Sequence, residues 1–264
     1  FLPDDEDREE YDGTKSLLIA LESRQPVNEF DILAFSVSFE QDYLNVIEIL
    51  LLSGIPAERG QRGNEHPLVV LGGICSFFNP EPLADIFDVV LSGEGEDLAQ
   101  EFIDVYAKRR ELGKDALLRE IARIPGAYLP SYYEVRYNPD GTIRERVALT
   151  PEAPPMIAKR VARNFSAIPA STVIVTPETE FSNMHLAEMT RGCGRHCRFC
   201  MAGYIYLPPR NLGIEAAREQ ATIADETCGK IGLVGAALSD YPEIYDLCDA
   251  ITGSLSVSSL RADS

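Results

Sequence analysis

Apolar and polar positions along this chain fall into two kinds of block. Short, nearly continuous apolar runs occupy residues 30–38, 67–73 and 87–93. Runs of that length suit strands buried on both faces, and the second and third end at glycine. Elsewhere apolar residues recur every three or four positions. Leu44, Ile47 and Leu51 share one helical face within 42–52, and Leu98, Phe102, Val105 and Tyr106 share one within 94–110. A third helical pattern over 115–124 stops at Ile124-Pro125-Gly126. Strand, helix and strand in alternation predict a parallel sheet with helices on both faces. The acidic run from Asp4 to Glu10 reads as a solvated flank.

The middle of the chain changes period. Residues 132–137 and 142–147 alternate across Asn138-Pro139-Asp140-Gly141, which predicts a β-hairpin, with Asp-Gly supplying positive backbone angles. Its tyrosines are expected in packing roles. Residues 149–183 are rich in Pro, Thr and Ser and read as a linker between domains, with Lys159, Arg160 and Arg163 as a solvated basic patch. Strand patterns return at 184–190, 231–237 and 255–261. A helix over 211–229 turns Ile214, Ala217 and Ile223 inward, and another starts at Asp240-Tyr241-Pro242 with proline in its first turn. The expected divisions are 1–125, 126–183 and 184–264.

Composition narrows the function. A formal net charge of −18 repels phosphate backbones and argues against general nucleic-acid binding. No signal-peptide pattern and no apolar run long enough to span a bilayer is read in this sequence, so no membrane partner is expected and the cytoplasm is the expected location. The chain does not begin with Met, which reads as a fragment boundary.

The chemistry concentrates in Arg191-Gly192-Cys193-Gly194-Arg195-His196-Cys197-Arg198-Phe199-Cys200-Met201-Ala202-Gly203. Three of the chain's 6 cysteines stand there as C-x3-C-x2-C. Clustered cysteines in a chain this long point to metal chemistry in a reducing compartment rather than a disulfide framework. Thiolates select iron–sulfur clusters, zinc or copper(I). A cubane 4Fe–4S cluster normally takes four cysteines, so three leave one iron open. The alternatives are zinc with His196 as fourth ligand, or a set of structural thiols. His196 adjoins Cys197, and its side chain would have to turn back sharply to share a metal. Cys75, Cys228 and Cys248 read as core thiols.

C-x3-C-x2-C with this lead-in resembles the radical S-adenosylmethionine (radical SAM) superfamily. The resemblance implies that Cys193, Cys197 and Cys200 each bind one iron of a 4Fe–4S cluster. It implies that the methionine part of S-adenosylmethionine chelates the fourth. Phe199 matches the aromatic position beside the adenine. Gly235-Ala236-Ala237 stands where the family has a glycine-glycine-glutamate segment meeting the methionine amino group; the glutamate is missing. Ser259 and Arg261 are candidates for ribose or carboxylate contacts. An electron donor of flavodoxin or ferredoxin type and an unidentified substrate are implied as partners.

Upstream, Gly72-Gly73, then Asp88-Val89-Val90 and Gly93-Glu94-Gly95-Glu96, resemble the pattern of cobalamin-binding-type domains fused ahead of radical SAM barrels. The D-x-H-x-x-G motif of histidine-ligated cobalamin is absent. Cobalamin without a protein ligand and an empty degenerate domain both remain open. The fold expected is α/β: an N-terminal Rossmann-like parallel-sheet domain, then the first part of a (β/α) radical SAM barrel. From Met184 onward there are roughly three strand–helix units, whereas a complete eight-stranded barrel takes about 250 residues. The chain therefore reads as cut short at its C-terminus.

Overall fold

The computed structural model describes residues 2–261. They form two compact units, one up to Ala162 and one from Arg163 onward.

The first unit opens with α1 (Asp5–Thr14), capped where the Asp7 N–H donates to Asp4 Oδ1 at 3.0 Å. The acidic run expected to be a solvated flank is thus helical. Its side-chain cap and the acidic first turn complement the exposed N–H groups of a helix start. Strands β1 (Ile32–Ser36), β2 (Leu68–Gly72) and β3 (Val89–Leu91) run parallel, and β4 (Ala127–Tyr128) pairs antiparallel with β3. The order is β1-β2-β3-β4. Helices α2 (Asp42–Leu52), α3 (Cys75–Phe78), α4 (Gly95–Arg109) and α5 (Lys114–Ile121) lie between them in sequence.

Period-two alternation sorts the core into two layers. Leu68, Val70 and Val89 pack with Leu98, Phe102, Leu117, Leu118 and Ile121 of α4 and α5. Val69, Leu71 and Val90 pack instead with Val46, Leu50, Cys75, Leu83 and Phe87 on the other face. Val69, Leu71, Val89 and Val90 are fully buried. Each such side chain contributes about 1.5–3 kcal/mol over leaving it in water. This is the parallel α/β unit that the apolar runs predict. Its strand order does not reverse among the described residues, so it has no switch-point crevice of the kind that holds ligands in doubly wound sheets.

A charged cluster is buried beneath the first layer. Asp88, whose side chain is 1% exposed, lies 3.1 Å from Arg62 and 3.0 Å from Lys114, and accepts the Val69 N–H at 2.9 Å. Arg62 also donates to the carbonyls of Pro56, Ala57 and Ile86. Asp88, part of the pattern that suggested a ligand domain, is therefore a structural anchor at the start of β3.

The hairpin forms as β5 (Tyr133–Tyr137) and β6 (Ile143–Ala148). Within its turn Gly141 has positive φ (82°) and Asp140 does not. Asp140 Oδ1 instead accepts from the N–H and hydroxyl of Thr142 at 3.0 and 2.7 Å. The tyrosines pack: Tyr133 donates to the Pro154 carbonyl at 2.7 Å, and the Arg146 guanidinium stacks 4.6 Å from its ring.

The second unit contains β7 (His185–Glu188), β8 (Thr190–Arg191), β9 (Arg210–Asn211), β10 (Lys230–Val234) and β11 (Ser254–Val257), with α6 (Ala202–Ile205), α7 (Ile214–Thr227) and α8 (Ile244–Ala250). Strands β7, β10 and β11 are parallel and adjacent in that order. Ala187, Ile231 and Leu233 pack with Ala217, Ala221 and Ala224 of α7 and Leu247 of α8. Opposite that face, a Cβ at Gly232 would stand 2.6 Å from both Leu186 and Met184. The outer edge of β7 is covered by residues 170–172, where Thr172 N–H donates to Leu186 O and Glu188 N–H to Ala170 O, both at 2.9 Å.

Two local expectations are corrected. The buried face of α7 carries Ala217, Gln220, Ala221 and Ala224 rather than Ile223, because small side chains let the helix approach the strands. His185 and Gln220 satisfy each other in that layer at 3.0 Å. Asp240-Tyr241-Pro242 does not begin a helix: Leu238–Asp240 is a single 3-10 turn and α8 starts at Ile244. The Tyr241 ring is buried and its hydroxyl donates to Leu212 O at 2.9 Å.

Candidate functional site

The cysteine loop fills residues 192–209, and its stem is the antiparallel pair β8–β9, with Thr190 opposite Asn211 and Arg191 opposite Arg210. Because β8 follows β7 directly, the loop emerges at the carboxyl end of the second sheet. Gly192 has φ of 81°, and a Cβ there would lie 2.4 Å from the Tyr206 carbonyl oxygen. Glycine is required at that position for both reasons. Arg191 forks onto Glu188 at 2.9 and 2.7 Å and stacks over Phe165.

Within the loop, Cys200 N–H donates to Cys197 O at 3.0 Å. Tyr204 donates to the His196 carbonyl at 3.1 Å, and its ring meets the imidazole edge-on. Cys193 and Cys200 are half-buried, Cys197 is exposed, and none is in a disulfide. Phe199 is 93% exposed.

The other candidates gather at the same end of the sheet. Gly235 and Ala236 follow β10, and Ser259 and Arg261 follow β11. Ser259 Oγ donates to Ala236 O at 3.2 Å, and Gly235 N–H donates to Ser258 Oγ at 3.2 Å. A Cβ at Gly235 would stand 2.2 Å from Thr190 Oγ1, so the residue is held to glycine by contact with the strand that leads into the loop. Thr190 Oγ1 is buried without a hydrogen-bond partner. Asp240 takes a two-pronged contact from Arg195 at 3.0 and 2.8 Å and a further one from Arg261. Asp240 and Thr190 escaped the sequence reading, since nothing in local pattern links positions so far apart. Their positions just past strand carboxyl ends were the available signal.

Three soft, disulfide-free thiols on one loop are a suitable donor set for an iron–sulfur cluster. As folded they are not drawn together: among the described residues no three Cys, His, Asp or Glu side chains converge closely enough to hold a metal ion.

The end of β3 in the first unit is occupied by the protein's own chain. Beyond β3, where the Gly93-Glu94-Gly95-Glu96 segment suggested a ligand loop, the chain's own residues 157–162 are laid in place. Arg160 N–H donates to Ser92 O at 2.9 Å, Glu94 N–H to Arg160 O at 3.1 Å, and Ala162 N–H to the Glu94 carboxylate at 2.7 Å. The Arg160 guanidinium forks onto Glu101 at 2.8 Å through both prongs. Arg160 is therefore not part of a solvated patch; its side chain is 14% exposed. Nearby, a cavity of about 220 Å³ is lined by Ser76, Glu81, Ser92, Tyr128 and Arg146 among others.

Fold and loop together define a two-unit α/β protein with a thiol-bearing loop at the carboxyl end of its second parallel sheet. Residues 1–130 match the family described as "Radical SAM proteins, N-terminal". That match supports membership of the radical SAM superfamily. It is also 28% identical, over 251 residues, to the uncharacterized protein MJ0966 of Methanocaldococcus jannaschii. That match covers 92% of this chain and 47% of the relative, so the chain spans about half the length of the curated relative it matches. Among the described residues no helix is long and apolar enough to cross a membrane.

Proposed function

We propose that this chain is the cofactor-binding part of a radical SAM enzyme, in which Cys193, Cys197 and Cys200 hold a 4Fe–4S cluster whose open iron takes S-adenosylmethionine. When bound, such a cluster supplies one electron for reductive cleavage of the sulfonium, which starts radical chemistry on the substrate. The observation that carries this reading is the C-x3-C-x2-C loop at the carboxyl end of a parallel sheet, in a chain whose residues 1–130 match that family. On this reading β7, β10 and β11 are the first strands of a (β/α) barrel, whose chemistry sits at that end.

The residues of the chain have separable tasks. The three thiolates bind iron, and the loop stem fixes where they stand. The carbonyls of Gly235 and Ala236 each keep a lone pair for an ammonium group, with Ser258 and Ser259 orienting the segment. Phe199, which projects from the loop, is free to lie against an adenine. Arg261 reaches a cosubstrate carboxylate only by sharing Asp240 with Arg195. An electron donor of flavodoxin or ferredoxin type and a cytoplasmic setting follow from the same reading; the substrate does not.

Anaerobic reconstitution tests it. About four irons per chain, with matching labile sulfide, are expected, and S-adenosylmethionine should shift the reduced protein's electron paramagnetic resonance spectrum. Alanine at Cys193, Cys197 or Cys200 should abolish this, whereas alanine at Cys75, Cys228 or Cys248 should not. Undiminished iron in the first three variants would overturn the assignment.

A further inference from the structure

We propose that Asp240 is a positioning residue that pins the middle of the cysteine loop to the carboxyl end of the second sheet. The proposal deepens the reading of that loop as the cofactor site and rests on it. Arg195 stands between Cys193 and Cys197. Its Nε and Nη2 donate to the two oxygens of Asp240 at 3.0 and 2.8 Å. Asp240 closes the short turn Leu238–Asp240, a few residues past β10. From the far side Arg261, just beyond β11, donates to the same carboxylate. One carboxylate thus ties together the loop, the end of β10 and the end of β11.

Exposed ion pairs in isolation contribute little, because water screens them and two long side chains must be immobilised. This one differs in two respects. The guanidinium is bidentate, and a second guanidinium shares the acceptor, which is the arrangement in which partly exposed pairs keep measurable strength. The hydrogen bonds from Arg195 hold the Asp240 carboxyl below its ordinary range against the opposing effect of burial, and Arg261 adds to them.

The position matters because the loop's other ties are made within the loop or at its stem. The β8–β9 pair closes the stem, Gly192 packs under Tyr206, and Tyr204 holds His196. Arg195 to Asp240 is a long-range contact within the span from the first cysteine to the second. Removing it deletes no thiol, but it frees the backbone that must carry Cys193 and Cys197 to a common centre.

Amide hydrogen exchange on the metal-free chain tests this directly. Asp240→Asn and Arg195→Gln should each speed exchange across residues 192–201 by roughly 1.5- to fivefold, the range of one such pair. Exchange in β10 and α7 should be unchanged, and the double variant should be no faster than either single one. Asp240→Glu, which keeps the charge, should restore part of the protection. After anaerobic reconstitution both single variants should take up iron as the wild type does, but release it to a chelator several-fold faster. Wild-type exchange rates in Asp240→Asn would overturn the proposal, and so would acceleration spread evenly over the second unit, which would mark a general packing role. A wild-type chain that takes up no iron would defeat the cofactor reading while leaving the exchange comparison to decide the pin.

Discussion

Gly93 and Arg160 lie in such close contact that a Cβ on residue 93 would stand 2.3 Å from the Arg160 carbonyl oxygen and 2.5 Å from its nitrogen. The two residues form a parallel bridge that extends β3 with a segment from much later in the chain. Gly93 also has φ of 130°, a conformation open to glycine and strained for other residues. The glycine that suggested a ligand loop is thus accounted for by a contact within the protein.

Gly93→Ala should therefore destabilise the first unit by about 2 kcal/mol or more, from backbone strain and loss of the bridge. Urea denaturation followed by far-ultraviolet circular dichroism measures it. The same contact predicts that hydroxocobalamin added to the wild-type chain gives no saturable change in its absorbance spectrum. A saturable change of one equivalent would show that residues 157–162 can be displaced, and would return cobalamin to consideration.

Asp88→Asn should be costlier than its conservative chemistry suggests. The carboxylate is shared by Arg62, whose side chain is fully buried, and by Lys114. Burial already pulls the Arg62 guanidinium below its ordinary range, and the Asp88 charge beside it opposes that pull. Neutralising Asp88 leaves a buried cation short of its counter-charge, a change that costs about 3–5 kcal/mol in comparable sites. A urea midpoint within error of the wild type would refute this account. Iron uptake by the second unit should be unaffected where the variant is folded.

Alkaline stability should fall earlier than general charge repulsion predicts. Burial, then the hydrogen bond with Cys75, pushes the Tyr43 hydroxyl up to about 12. Burial also raises Tyr106, Tyr128, Tyr132, Tyr133 and Tyr241. A raised value means that the folded chain keeps a proton which the unfolded chain releases. The associated stability is full below the ordinary tyrosine value near 10 and drains away as pH rises through the folded value. For Tyr43 the window is about pH 10 to 12. Denaturant midpoints measured across that window should decline, and Tyr43→Phe should make the decline shallower.

Much of this architecture was legible from spacing alone. The runs at 67–73 and 87–93 became β2 and β3 because a strand covered on both faces tolerates nothing polar. The pattern at 94–110 became α4, displaced by a single residue at each end. The C-x3-C-x2-C loop was equally visible, since the three cysteines are close neighbours in sequence whatever the rest of the chain does. Its gathering into a metal site is another matter. Whether three thiols converge depends on backbone angles within the loop and on what is bound there.

Sequence by itself determined most of the elements, their approximate ends and the spacing of the three cysteines, because each is encoded by residues within a turn or two of one another. Tertiary structure alone decided that Arg160 fills the end of β3, that Asp88 is an internal anchor and that Asp240 joins Arg195 to Arg261. Those contacts connect positions 20 to 70 residues apart. A charged or glycine residue reads the same in sequence whether it faces a ligand, water or another part of its own chain; packing determines which one it meets.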